Sequence, residues 1–144
     1  MAPEFTLEQL EGGKISLSEL RGRVVIIDFW ATWCGPCRSS LPSLETIYQQ
    51  YRGRGVTVLL LNQDEKPKAI RKFTGHRFSA PILLDAGSQV AQQYGVNGIP
   101  HTVVVDQQGR ILYRHEGYGG GMEHNLKLIL DQLLTPASAT LPSH

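Results

Sequence analysis

An α/β fold, with one mixed β-sheet covered by helices on both faces, is what this sequence predicts, and three observations predict it. Stretches rich in β-branched and aliphatic residues alternate with stretches whose apolar residues recur every three or four positions. The stretch from Val24 to Trp30 is apolar on both faces, the pattern of a strand buried in the middle of a sheet. A strand pair joined by a turn, followed by a final helix, closes the chain and adds antiparallel strands to a βαβ arrangement.

The elements follow in order. Phe5, Leu7 and Leu10, then Ile15, Leu17 and Leu20, sit on either side of Gly12-Gly13 and suggest an N-terminal hairpin outside the main sheet. After the central strand, Leu41, Leu44, Ile47, Tyr48 and Tyr51 recur at helical spacing from Cys34 to about Arg52, and Gly53 and Gly55 end that helix. A second buried strand is read from Val56 to Leu61. A helix opened by proline follows from Pro67 to Phe73, then a short strand from Ile82 to Leu84 and a helix from Ser88 to Tyr94. Thr102 to Val105 and Ile111 to Tyr113 are strands joined by the turn Asp106-Gln107-Gln108-Gly109, and the last helix spans Met122 to Leu134. Residues 1–134 are read as one domain, within the usual size range, and the Pro-, Ser- and Thr-containing residues 135–144 as a flexible tail.

Composition removes several function classes. Fourteen Lys and Arg against thirteen Asp and Glu leave a net charge of +1, and no block of five or six consecutive cations points to nucleic acid. The longest apolar run, around Val24 to Ala31, is far short of the roughly 20 residues that span a bilayer, so no membrane insertion of this domain is expected. Met1 to Glu4 has neither a basic n-region nor an apolar h-region, so no signal peptide is read there. Two cysteines are too few for a disulfide-stapled scaffold, which leaves redox chemistry or metal.

Cys34-Gly35-Pro36-Cys37 lies where the central strand ends and the first long helix begins. Unpaired N–H groups and the helix dipole at such a position stabilise a thiolate and bring its pKa toward about 7, from about 8.5 for a free thiol. Cys34 is therefore the expected nucleophile and Cys37, one turn inside the helix, the resolving thiol. Gly35 permits a tight bend, and Pro36 presets a helical φ where its missing N–H costs nothing. Two other readings of the pair are a structural disulfide, whose short loop gains little chain entropy, and half of a zinc site. The five histidines (His76, His101, His115, His124 and His144) supply no second ligand pair, so no metal is expected.

The run Phe29-Trp30-Ala31-Thr32-Trp33-Cys34-Gly35-Pro36-Cys37, with the distant Gly98-Ile99-Pro100, resembles the active-site strand, loop and facing loop of thioredoxins. The resemblance covers about Val24 to Leu134. The lead-in from Ala2 to Leu7, Leu17 to Gly22, the longer central stretch from Asp64 to Gln93, and Val104 to Arg110 are closer to the bacterial extracytoplasmic reductants of the ResA and TlpA type, some of which serve cytochrome c maturation. It implies a thioredoxin fold with an N-terminal hairpin extension and a central insertion, a cis bond before Pro100, and reduction of protein disulfides.

The same resemblance implies residue roles. Asp28 matches the buried aspartate that moves a proton to and from the second cysteine, and desolvation raises the pKa of such a carboxylate. The lysine usual near it in the next strand is Leu60 here, and the glutamate common three residues after the second cysteine in ResA-type proteins is Ser40. Ile99 beside Pro100 offers backbone to an extended substrate, and Trp33 offers an apolar contact, so Trp33, Gly35, Pro36, Ile99, Pro100 and His101 are the expected substrate-binding residues. A protonated His101 near the thiolate would lower its pKa further; an ordinary strand residue is the alternative. Trp30 is read as core, and Pro42 as a kink in the first helix.

No cofactor is expected. The implied partners are disulfide-containing proteins and an upstream thiol donor, the expected state is a monomer, and the implied location is extracytoplasmic with the targeting segment outside this chain, or else the cytoplasm. A thiol peroxidase is a competing reading, because the lead-in and the strand pair after Val103 are shared with peroxiredoxins, although Cys34 lacks their preceding Pro-x-x-x-Thr-x-x stretch. A copper-handling thioredoxin-like module is another.

Overall fold

The structure, a computed structural model, describes residues 1–119 and 121–134; the tail expected at residues 135–144 lies outside the described residues. Its elements are β1 (Thr6–Glu8), β2 (Lys14–Ser16), β3 (Val24–Trp30), α1 (Gly35–Tyr51), β4 (Val56–Gln63), α2 (Pro67–Thr74), β5 (Ile82–Asp85), α3 (Gln89–Gln93), β6 (His101–Val105), β7 (Ile111–Glu116) and α4 (Met122–Leu134). The five-stranded sheet has the order β5-β4-β3-β6-β7, with β3 parallel to β4, β4 parallel to β5, and β6 antiparallel to both β3 and β7.

This order explains why β3 carries no polar face: paired on both edges and covered on both sides, all seven of its residues are buried. Its side chains alternate between two cores. Val24, Ile26 and Trp30 pack with Leu41, Leu44 and Ile47 of α1, Ile70 of α2, and Met122, Leu126 and Leu130 of α4. Val25, Ile27 and Phe29 pack on the other face with Phe5, Leu17, Val90, Ala91 and Tyr94. The thioredoxin-type mixed sheet with helices on both faces is therefore what the chain forms, and β1 and β2 make the separate antiparallel hairpin at its start.

The central insertion places α2 on one face and adds β5 as an edge strand beyond β4. Two differences from the sequence reading have plain causes. β7 extends through Glu116 because Arg114, His115 and Glu116 pair with Val103, Thr102 and His101, although their polar side chains break the apolar pattern. The helix read from Ser88 is shorter, because Gly87 and Ser88 take positive φ (69° and 53°) in a 3-10 turn before α3. α1 runs unbroken through Pro42 from Gly35 to Tyr51.

Candidate active site

β3 delivers the chain to α1 through Ala31 to Cys34, and Cys34 is the N-cap of that helix in extended backbone conformation. Cys34 and Cys37 are joined as a disulfide with their Cα atoms 5.2 Å apart. The Cys37 N–H, unpaired within the helix because it lies in the first turn, donates to Cys34 Sγ at 3.2 Å. Cys34 Sγ also lies 3.7 Å from the Ile99 carbonyl oxygen. Cys34 is 4% exposed and Cys37 fully buried, while Gly35 and Pro36 stand open to solvent beside them.

The facing loop enters β6 through a cis peptide between Ile99 and Pro100. Trp33, 70% exposed, and Ile99 border an uncharged groove that continues along Gln63, Gln92, Val96 and Gly98. Trp30 is wholly buried in the core.

Asp28 is two residues before Trp30 on β3, so its side chain is on the face shared with Ile26, Trp30 and both cysteines. It is completely buried, and burial pushes its carboxyl up from 3.8 to about 8, against the smaller downward pull of the hydrogen bond from Thr102. Thr102 Oγ1 donates to Asp28 Oδ1 at 3.0 Å, whereas Oδ2 has no hydrogen-bond partner among the described residues. Leu60 pairs with Asp28 across β4, so the carboxyl faces an aliphatic neighbour where thioredoxins place a cation. Ser40 is buried and donates its hydroxyl to the Cys37 carbonyl at 3.0 Å, so it closes the helix's first turn and acts as no base.

His101 departs from the option of a protonated imidazole beside the thiolate. It pairs with Phe29, one residue out of step with Asp28 and Thr102, so its ring lies on the opposite face of the sheet from the sulfurs. There it is 2% exposed, edge-on to Phe29, with Arg114 Nη1 3.3 Å from its Nε2. Burial first and the Arg114 guanidinium second push its pKa below the usual histidine value, which leaves it uncharged at neutral pH.

Two contributors were not read from sequence. Thr102 could have been inferred from strand alternation once Asp28 and β6 were paired. Glu65, in the central insertion, had no local signal: it reaches back 33 residues to accept hydrogen bonds from the Thr32 N–H at 2.8 Å and the Thr32 hydroxyl, and it also takes Asn62 Nδ2 at 2.7 Å. Arg38 holds the other side of the same loop through its Nε–H on the Thr32 carbonyl at 2.9 Å. Glu65→Ala strips two part-buried N–H groups of their acceptor and is expected to cost about 1–3 kcal/mol, while Glu65→Gln keeps most of the stability. Urea melts of the three proteins check this, and an alanine variant as stable as wild type overturns it.

Residues 1–130 match the Redoxin family. The chain belongs to that family. This redoxin is 34% identical over 136 residues to the thiol-disulfide oxidoreductase ResA of Halalkalibacterium halodurans, covering 94% of this chain and 76% of that protein. It is also 34% identical over 112 residues to ResA of Bacillus thuringiensis strain Al Hakam, covering 77% of this chain and 65% of that protein. This redoxin therefore spans between about two thirds and three quarters of the length of these relatives. The crystal structure of the pneumococcal exposed lipoprotein thioredoxin of Streptococcus pneumoniae strain TIGR4 superposes with a TM-score of 0.80 at 25% identity, covering 91% of this chain and all of that one. Membership, together with the disulfide at the start of α1, makes this redoxin an oxidoreductase that works by dithiol-disulfide exchange.

Among the described residues no helix is long and apolar enough to cross a membrane, and no group of three or more His, Cys, Asp or Glu is arranged to hold a metal ion.

Proposed function

We propose that this redoxin reduces disulfides in other proteins, with Cys34 as nucleophile, Cys37 as resolving thiol and Asp28 as proton carrier. The observation that carries the reading is the N-terminal position of Cys34 on α1, where the Cys37 N–H is aimed at its sulfur while Cys37 itself is buried. In the reduced protein the Cys34 thiolate attacks one substrate sulfur, a mixed disulfide forms and the first substrate thiolate leaves. The Cys37 sulfur then attacks Cys34 Sγ, the mixed disulfide breaks and the second substrate thiolate leaves. Two electrons pass to the substrate. Asp28, whose carboxyl is raised to about 8, takes up in its ionised form, through Oδ2, the proton that Cys37 gives up, and then releases it to return to the carboxylate.

Trp33, Gly35, Pro36, Ile99, Pro100 and the backbone of His101 line the approach to Cys34 and would hold an extended substrate segment, with Ile99 offering main-chain groups and Trp33 an apolar platform. The partners are disulfide-bearing proteins and an upstream thiol donor that returns Cys34–Cys37 to the dithiol. An extracytoplasmic location and a role in cytochrome c maturation are supported by the likeness to ResA, and the location also by the likeness to an exposed lipoprotein.

Labelling tests the division of labour. Iodoacetamide is expected to alkylate Cys34 first in the reduced protein at neutral pH, and Cys37→Ser to accumulate mixed disulfides that wild type resolves. Labelling of Cys37 first reverses the two roles, and a Cys37→Ser protein that traps no disulfide substrate removes the mechanism.

A further inference from the structure

The chain is nearly neutral, but its charge is not evenly spread. Five of its fourteen lysines and arginines fall between Lys66 and Arg77, a segment without an acidic residue, while the rest of the chain holds thirteen acids against nine cations. Lys66, Lys68, Arg71, Lys72 and Arg77 are all exposed, and none makes an ion pair among the described residues. The adjacent carboxylate, Glu65, is turned to Thr32 and Asn62. Lys68 and Lys72 are four apart on α2, a spacing at which like charges repel. Such a surface is relieved by an anionic neighbour that this part of the chain does not provide.

It is also fastened to the redox site. Arg38, in the first turn of α1 directly after Cys37, lies over the Phe73 ring with its Cζ 5.2 Å from the centroid, and Arg77 lies 4.7 Å from the same ring. Two guanidinium groups thus share one aromatic side chain of α2, which ties the helix that carries Lys68 and Lys72 to the start of α1. In the sheet β4 and β6 flank β3, so α2, which follows β4, and Ile99, which precedes β6, lie to opposite sides of the chain that carries Cys34. The groove bordered by Trp33 and Ile99 runs to Ala91, which packs in the core on the opposite face of the sheet from Ile70 of α2, and it contains no charged residue.

We propose that Arg38, Lys68, Lys72 and Arg77 form a docking surface for an acidic polypeptide segment beside the disulfide of the protein that exchanges with Cys34. This rests on the exchange reading above and names the partner's chemistry: carboxylates on the α2 side of its reacting disulfide, uncharged residues on the Ile99 side. Guanidinium groups pair with carboxylates through parallel hydrogen bonds, and the lysines steer the encounter at longer range. An anionic membrane is the poorer occupant, because a bilayer lying on a surface that includes Arg38 would cover the sulfur that must meet a protein.

The test uses the reduced full chain and three disulfides: two cystine peptides of equal length and apolar content, one flanked by Asp and Glu and one by Lys, and the uncharged hydroxyethyl disulfide. At about 0.01 M ionic strength the acidic peptide is expected to react about tenfold faster than the basic one, and the ratio to collapse toward one near 1 M salt. The double variant Lys68→Glu, Lys72→Glu, two exposed substitutions between residues of similar helix propensity, is expected to lose or invert the preference and to keep the hydroxyethyl disulfide rate. Equal rates for the two peptides at low salt, or a preference the variant retains, overturn the docking surface while exchange itself stands. Binding to anionic phospholipid vesicles that the variant loses, without any peptide preference, overturns it in favour of a lipid surface. A wild type inert toward hydroxyethyl disulfide overturns the exchange reading and the docking surface with it.

Discussion

Oxidised Asp28→Asn protein is expected to be about as stable as wild type near pH 4 and markedly more stable near pH 9. The Asp28 carboxyl is raised from 3.8 to about 8 in the native state because it is taken wholly out of water, next to Leu60 and with one oxygen unpaired. Between those two values the native protein holds a proton that the unfolded chain has released, so stability falls as pH rises through this window, and the loss is complete above about pH 8. The slope is about 1.4 kcal/mol per pH unit, which sets the full swing on the order of 6 kcal/mol at most. Asparagine has no such ionisation, keeps an oxygen for the Thr102 hydroxyl, and removes the slope. It also cannot take a proton from Cys37, so resolution of mixed disulfides should slow by about a hundredfold or more. Urea melts at the two pH values and quenched-flow decay of a trapped mixed disulfide measure the two effects. A stability difference that is the same at both pH values means that Asp28 does not ionise across the window.

Much of this site was readable in advance because its parts are local. Cys34 and Cys37 are one helical turn apart, their position follows from where β-branched residues give way to helical spacing, and the burial of Asp28 follows from a strand with no polar face. What the sequence hid was contact between distant segments. Glu65 looks like any acid in a charged stretch until the fold brings it onto Thr32. His101 looked like a tuner of the thiolate because it follows Pro100, but a strand reverses side-chain direction at every residue, and one step of register sends the imidazole to the far face. β7 was cut short for a related reason: an edge strand half open to water alternates polar and apolar residues, and Arg114 and Glu116 fill its exposed positions.

The position of His101 also bears on the direction of electron flow. Strongly oxidising members of the thioredoxin fold, with potentials near −120 mV, owe them to a reduced form whose thiolate is heavily stabilised, against about −270 mV for a reductant with a Gly-Pro pair between its cysteines. The difference amounts to roughly 7 kcal/mol of extra stabilisation of the thiols. Few groups here could provide it. The α1 terminus and the Cys37 N–H are worth about 2 kcal/mol at most and are common to the whole fold. His101 is uncharged and on the far face. Arg38, the cation closest in sequence, is committed to the Thr32 carbonyl and the Phe73 ring. The α2 lysines are exposed, and surface charges acting through water contribute about 1 kcal/mol or less. The Cys34–Cys37 couple is therefore expected to lie below about −220 mV, and the reduced protein to reduce insulin efficiently with dithiothreitol as donor. Equilibration of the couple against glutathione buffers measures it directly. A value near −120 mV would make this redoxin an oxidant and would require a cation at Cys34 that the structure does not place there.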